Sequence, residues 1–407
     1  MKHPSLHNPW NLILVIFVLF LMVLGGCEQA IRVDAEEVLQ PEILPATLAV
    51  NTSFNATISC PTSDSVIRYT LDGSTPTEAS SIYTSSIPIS DDTTLKARAY
   101  KSGYRASSVA DRSYRFVWRA TTMESTPDSR AGYAAALDGT TLYVCGGMSG
   151  MTVLDTAYKL DLTTGTWTQI ADLPSARDTA VSAVIGGYLY LIGGRDATFT
   201  GVSSCYRYNI SSNSWDTRAA MPTARSGSVS AVIDEKIFVA GGAGSSFSSK
   251  LERYDPGTNT WTALSDMPLA RQYSHGGGSG THFYLSGGYN SSQPNGVLDD
   301  TFDYSSASNT WTPSPPSIGC LPSLPGRRVN AAGVFHAGSF YVMGGADAMG
   351  GTAPVYDTVF SYTPGASAWA TRFPMPSSTR LGGAFSMIDR ILVLSPTKVW
   401  YYFPTKE

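Results

Sequence analysis

Glycine pairs begin at Gly146, Gly193, Gly241, Gly287 and Gly344, and sixteen residues before each stands an arginine: Arg130, Arg177, Arg225, Arg271 and Arg328. An invariant interval recurring about every fifty residues means that one supersecondary unit is reused along the chain. Apolar runs such as Leu142-Tyr143-Val144-Cys145 and Leu189-Tyr190-Leu191-Ile192 lead into the pairs. Tryptophans recur at Trp118, Trp167, Trp215, Trp261, Trp311 and Trp369, with Tyr208, Tyr254, Tyr304 and Tyr362 seven residues ahead of four of them. Each unit therefore reads as a strand after the arginine, a strand ending in Gly-Gly, a variable loop, a strand ending in tyrosine, and a strand carrying tryptophan. A sheet of this kind has two apolar faces, and only neighbouring sheets can bury both.

These features resemble the kelch repeat, over residues 118–407. The resemblance implies an all-β, six-bladed kelch β-propeller. The sixth unit starts at Arg380 but carries Pro396 where a glycine pair is due, and after a third strand over Val399 to Phe403 the chain ends with no tryptophan-bearing fourth strand. The expectation is therefore a propeller, residues 115–407, closed by an N-terminal outer strand that ends at Trp118.

In kelch-like folds, ligands meet the loops at one end of a central channel. Carried over, this makes Arg130, Arg177, Arg225, Arg271, Arg328 and Arg380 a ring at the channel entrance, unless each is spent on turn carbonyls. A guanidinium fork suits a carboxylate or phosphate. Departures from the repeat add Asp178, Arg195, Tyr273, His275, Tyr289 and Asn330 as ligand-binding candidates, with tyrosines to stack on a sugar and Arg195 to pair with its acid group. The chain also resembles exported six-bladed kelch proteins that interconvert sialic-acid anomers. That chemistry needs a base for the anomeric hydroxyl and a donor for the ring oxygen, and Asp178 or His275 is the candidate base. The reading preferred from sequence is recognition of a glycan or an envelope or extracellular protein. A sialate mutarotase-like enzyme and a purely structural envelope protein are the alternatives. No cofactor or metal is expected, since the cysteines and histidines make no ligand-spaced cluster.

Residues 42–114 show the alternation of short strands, with Phe54, Ala56 and Ile58 on one side of the first and Leu95, Ala97 and Ala99 on one side of another. The run Ile67-Arg68-Tyr69-Thr70-Leu71-Asp72-Gly73-Ser74-Thr75-Pro76, followed by Thr94-Leu95-Lys96-Ala97-Arg98-Ala99-Tyr100, resembles the immunoglobulin-like C-terminal domain of chitobiases and related hexosaminidases. That resemblance implies a small β-sandwich accessory without catalytic residues.

Ahead of it, residues 12–24 are unbroken apolar sequence, too short for a comfortable membrane span, and end in Leu24-Gly25-Gly26-Cys27. The tetrad resembles the lipobox of bacterial lipoproteins. This implies a signal peptide over residues 1–26, lipid on Cys27, a tether over residues 27–41, and an extracytoplasmic protein held at a bacterial membrane. Cys60, Cys145, Cys205 and Cys320 are then free to pair or to remain thiols. Charged residues make up only 15% of the chain and the net charge is -4. That balance gives no general attraction to nucleic acid and leaves a neutral polar surface.

Overall fold

The computed structural model describes residues 36–46, 49–50, 53–123, 126–312, 321–350, 353–380, 382–395 and 398–406. The sequence expectations for Cys27, the signal peptide, Cys320 and Pro396 fall outside them. Regular structure among the described residues is strand apart from one 3-10 turn at Pro404–Lys406. The chain divides into two compact units, one of Met1–Ile43, Thr57–Ser86 and Leu95–Asp111, the other of Leu44–Ala56, Ile87–Thr94 and Arg112–Glu407.

The N-terminal strands build a three-stranded and a five-stranded sheet. Alternation decides their faces: on Thr93–Tyr100, Leu95, Ala97 and Ala99 are fully buried while Lys96, Arg98 and Tyr100 are not. The Asp72-Gly73-Ser74 turn forms as its composition dictates. Gly73 takes φ 80°, and the Ser74 backbone and hydroxyl both donate to Asp72 Oδ1, at 2.9 and 2.6 Å.

From Trp118 onward there are six four-stranded antiparallel sheets, each with its strands in chain order except the last. The first comprises Ala134–Asp138, Thr141–Cys145, Ala157–Asp161 and Thr166–Ile170. The sixth comprises Gly383–Ser386, Ile391–Leu394 and Val399–Tyr402, with Trp118–Ala120 as its fourth strand, in register Trp400 to Ala120 and Tyr402 to Trp118. The opening strands of successive sheets neighbour one another in order, and that of the sixth also touches that of the first.

The expectation of a closed propeller is corrected in one respect. No sheet closes on itself: hydrogen bonding stops at the fourth strand of every sheet, so each keeps two edges. Trp118–Ala120 is added as an edge strand of the sixth sheet and does not abolish an edge.

The repeated residues explain how separate sheets hold together. The indole nitrogens of Trp215, Trp261 and Trp311 each donate, at 2.8 Å, to a carbonyl of the preceding sheet's final segment: Ala171, Ala219 and Ser265. Beside them Asn213, Asn259 and Asn309 accept both from the tyrosine five residues earlier and from the backbone N–H of those same three residues. Tyrosine, asparagine and tryptophan thus form one clasp per joint.

The glycine pairs form the other joint. Gly147, Gly194, Gly242 and Gly288 donate their N–H to the carbonyls of Arg177, Arg225, Arg271 and Arg328, the arginines of the following unit. The glycine before each has positive φ and lies so close to that carbonyl that a Cβ at Gly193 would stand 2.7 Å from it.

Candidate functional site

The six opening strands surround a cavity of about 1020 Å³ lined mainly by small residues, among them Ala134, Ser182, Ala231, Gly277 and Ala332. Its hydroxyls serve the backbone: Ser182 donates to Ala135 O at 2.8 Å and Ser228 to Gly241 O at 2.9 Å. The channel wall therefore offers space but little reactive chemistry, and polar groups concentrate where the opening strands begin.

That rim is set by backbone conformation. Two residues after each arginine, Gly132, Thr179, Gly227, Tyr273 and Asn330 take φ between 50° and 63°. They are chained across sheets, with Thr179 N donating to Gly132 O, Gly227 N to Thr179 O and Tyr273 N to Gly227 O. Left-handed conformation is ordinary for the glycines and for asparagine but strained for Thr179 and Tyr273, and such strain concentrates at functional positions. The Thr179 hydroxyl is buried and has no hydrogen-bond partner among the described residues.

Next to Thr179, Asp178 is 1% exposed and holds Arg195 by a two-pronged pair, one prong being Nε to Oδ1 at 3.0 Å and the other Nη2 to Oδ2. Backbone bonds in both directions between the same two residues fix the pair. Arg195 sits over the Phe199 ring at 5.4 Å and keeps 30% of its side chain exposed. Tyr273 lies within the field of both charges. Burial raises its phenol above the usual range, with Arg195 pulling it down and Asp178 pushing it up. The Tyr273 ring covers Gly227 so closely that a Cβ there would be 2.8 Å from it. Tyr289 packs in the same small apolar cluster as Tyr273 and meets Phe247 edge-on at 5.9 Å.

Asp178, Arg195, Tyr273 and Tyr289 are thus brought together, whereas the arginine ring is not formed as expected. Arg130, Arg177, Arg225, Arg271 and Arg328 are all buried. Arg130 binds Asp128 and the carbonyls of Gly146 and Thr156. Arg177 binds Ser204 and Tyr206. Arg225 pairs with Glu252 at 3.0 Å, Arg271 with Asp300 at 2.8 Å, and Arg328 with Thr358 at 2.8 Å. Arg380 donates to Gly350 O. A buried guanidinium seeks its partners inside the protein, and most of these donors go to carbonyls, hydroxyls or carboxylates of the arginine's own sheet, although Nε of Arg225, Arg328 and Arg380 is buried without a hydrogen-bond partner among the described residues. Asn330 holds its place on the rim through its backbone conformation.

His275 is also withdrawn from the rim. It is 2% exposed, with Nδ1 3.0 Å from Ala331 O and Nε2 3.1 Å from Arg328 O, so it cannot meet a ligand as a base. Burial lowers its pKa from 6.5 to about 4, against the two carbonyls, which favour the charged ring. The unfolded chain consequently takes up this proton first as pH falls. Between about 6.5 and about 4 this group removes stability at up to about 1.4 kcal/mol per pH unit, and below that it removes no more. Urea midpoints at pH 7 and pH 4.5 will show a smaller difference in a His275→Gln variant than in the native chain; an equal difference would mean that other groups set the acid limb.

Cys60, Cys145 and Cys205 are free thiols. Burial pushes the latter two up to about 12, which leaves them unreactive. Among the described residues no group of three or more histidine, cysteine, aspartate or glutamate side chains could hold a metal ion, and no helix is long and apolar enough to cross a membrane.

Sequence reasoning missed Thr179, Phe199 and Phe247. The two phenylalanines occupy corresponding places after the glycine pairs at Gly193 and Gly241, which was a legible signal. The strain at Thr179 was not legible, because only the fold shows that its position needs positive φ.

Comparisons with known proteins divide along the chain in the same way. A family model described as KLHDC2/KLHL20/DRC7 Kelch-repeats domain matches residues 109–218 and 171–345, more than half of the chain. A second, described as Chitobiase/beta-hexosaminidase C-terminal domain, matches residues 45–111. Among solved structures, one titled "Structure of YjhT" aligns with a TM-score of 0.56 at 19% identity, covering 69% of this chain and 96% of that one. At that identity the likeness is one of fold. No curated protein matches.

Proposed function

Since the chain belongs to the KLHDC2/KLHL20/DRC7 Kelch-repeats family, we propose that its six-sheet unit takes an acidic sugar at the rim where Asp178, Arg195 and Tyr273 meet. The observation that carries this reading is the state of Arg195. The arginines at fixed spacing in the first five sheets are spent inside the fold, but Arg195 presents a half-open fork: Nε and Nη2 face Asp178, and Nη1 has no partner among the described residues. A sugar carboxylate fits that remaining edge, while Phe199, Tyr273 and Tyr289 offer ring faces to the apolar side of a pyranose.

Anomer interconversion is the chemistry that the acid and base groups of this rim favour. Of the two bases expected from the sequence, Asp178 alone is at the rim. With both of its oxygens on Arg195 and its side chain buried, it would act by holding that guanidinium toward the substrate carboxylate, while water takes the proton of the anomeric hydroxyl and Tyr273 donates toward the ring oxygen. Titrating free N-acetylneuraminic acid, with anomer exchange followed by NMR in the same samples, tests both parts. Arg195→Ala is expected to weaken binding by about 10- to 100-fold, as loss of a charge-assisted pair does. Asp178→Asn is expected to abolish accelerated exchange. Binding without acceleration would restrict the site to recognition, and unchanged affinity in Arg195→Ala would remove the sugar from this rim.

A further inference from the structure

One solvent-facing surface of the unit containing Thr57–Ser86 and Leu95–Asp111 gathers cations and water-exposed apolar side chains. Register places Arg68 directly opposite Arg98, Thr70 opposite Lys96, Val66 opposite Tyr100 and Ile82 opposite Arg68, so all seven side chains share the face turned away from buried Leu95, Ala97 and Ala99. Like charges directly opposite one another across strands repel. The two arginines are nonetheless held in place, Arg68 donating to Ser80 O at 2.8 Å and Arg98 to Ser107 O at 2.7 Å, and neither these nor Lys96 is paired with a carboxylate among the described residues. Asp111, exposed on the neighbouring strand, is the acidic group of the same sheet. Around the cations lie apolar side chains that water reaches, with Val66 44% and Ile82 50% exposed, and Tyr100 beneath Arg98 at 5.7 Å.

We propose that this face is a docking surface for an anionic membrane. Cations alone would suit any polyanion, but a soluble polyanion would leave Val66 and Ile82 wet. A bilayer interface takes cations at its anionic headgroups and apolar and aromatic side chains just beneath. Chain geometry points the same way. The described chain begins at Glu36, and Glu36 and Val38 are bonded to Arg105, five residues beyond the Tyr100 end of the face. The apolar run of residues 12–24 precedes it, and the stretch from Cys27 to Glu36 spans at most about 30 Å. Any membrane attachment in that leader therefore keeps the face within reach of the headgroups, where a second, charge-dependent contact strengthens a single anchor.

The test uses the full chain in vesicles and an amine-reactive reagent that does not cross them, with labelling at Lys96 and at Lys250 read by mass spectrometry. Lys250, half exposed just ahead of the Leu251–Asp255 strand of the third sheet, is the internal control. In vesicles of phosphatidylcholine with about a third phosphatidylglycerol, Lys96 labelling is expected to fall at least about fivefold relative to phosphatidylcholine alone. It should recover at 1 M salt and in an Arg68→Gln/Arg98→Gln variant, while Lys250 labels equally throughout. Equal labelling of Lys96 in both vesicles overturns the proposal. So does protection of Lys96 by a soluble acidic polysaccharide with none by vesicles, which would assign the face to a polymer.

Discussion

Truncating Arg225 to alanine is expected to destabilise the six-sheet unit by about 3–5 kcal/mol, one of the largest effects of any single substitution in it. The side chain is fully buried, donates to Val239 O at 2.9 Å and pairs with Glu252, itself 2% exposed. Removing the cation strands a carboxylate whose other support is the Thr223 hydroxyl at 2.8 Å. Replacing the pair together, Arg225→Met with Glu252→Leu, is expected to stay within about 1–2 kcal/mol of the native chain, because the cost lies in the orphaned charge and not in the lost attraction. Urea unfolding followed by tryptophan fluorescence separates the two cases. If the double variant were as unstable as Arg225→Ala, the pair would be holding the third sheet together in its own right.

The second large effect concerns the joint between sheets. Gly186 and Gly193 both have positive φ, 58° and 64°, but a Cβ at Gly186 meets nothing within 4 Å, whereas at Gly193 it would stand 2.7 Å from Arg225 O and 3.3 Å from the Met221 methyl. Gly186→Ala is therefore expected to cost about 1–2 kcal/mol, the left-handed penalty alone. Gly193→Ala adds overpacking against backbone that carries an intersheet hydrogen bond, for about 2–5 kcal/mol in all. Equal losses at the two sites would show that conformational preference, and not close approach of neighbouring sheets, explains the repeated glycine pair.

What was legible in the sequence follows from what repeats. Arginine, glycine pair, tyrosine and tryptophan each serve a joint present several times, so their spacing announces six sheets before any coordinate is known. The same regularity misled about function. An arginine at constant spacing looks like a ring of charge at a channel mouth, yet Arg130, Arg177, Arg225, Arg271 and Arg328 fold inward because each finds carbonyls or hydroxyls a strand away, and three find a carboxylate. Periodicity alone does not say which way a side chain points. Closure was overread for a related reason: a strand borrowed from the other end of the repeats completes a sheet, but the six sheets still meet through side chains and the glycine-pair hydrogen bonds. The proposed site is made of departures from the repeat. Asp178, Arg195 and Tyr273 were visible as such departures, while His275, equally irregular, fills a buried slot between two carbonyls.

The central claim is that a sugar carboxylate completes the half-open fork of Arg195. Calorimetric titration of the native chain with N-acetylneuraminic acid and with its methyl ester, at low and at physiological salt, tests it most directly. The acid is expected to bind at least about tenfold more tightly than the ester, with the difference shrinking as salt rises and vanishing in Arg195→Ala. Equal affinities for acid and ester in the native chain would contradict the account and take the carboxylate, and with it Arg195, out of the site.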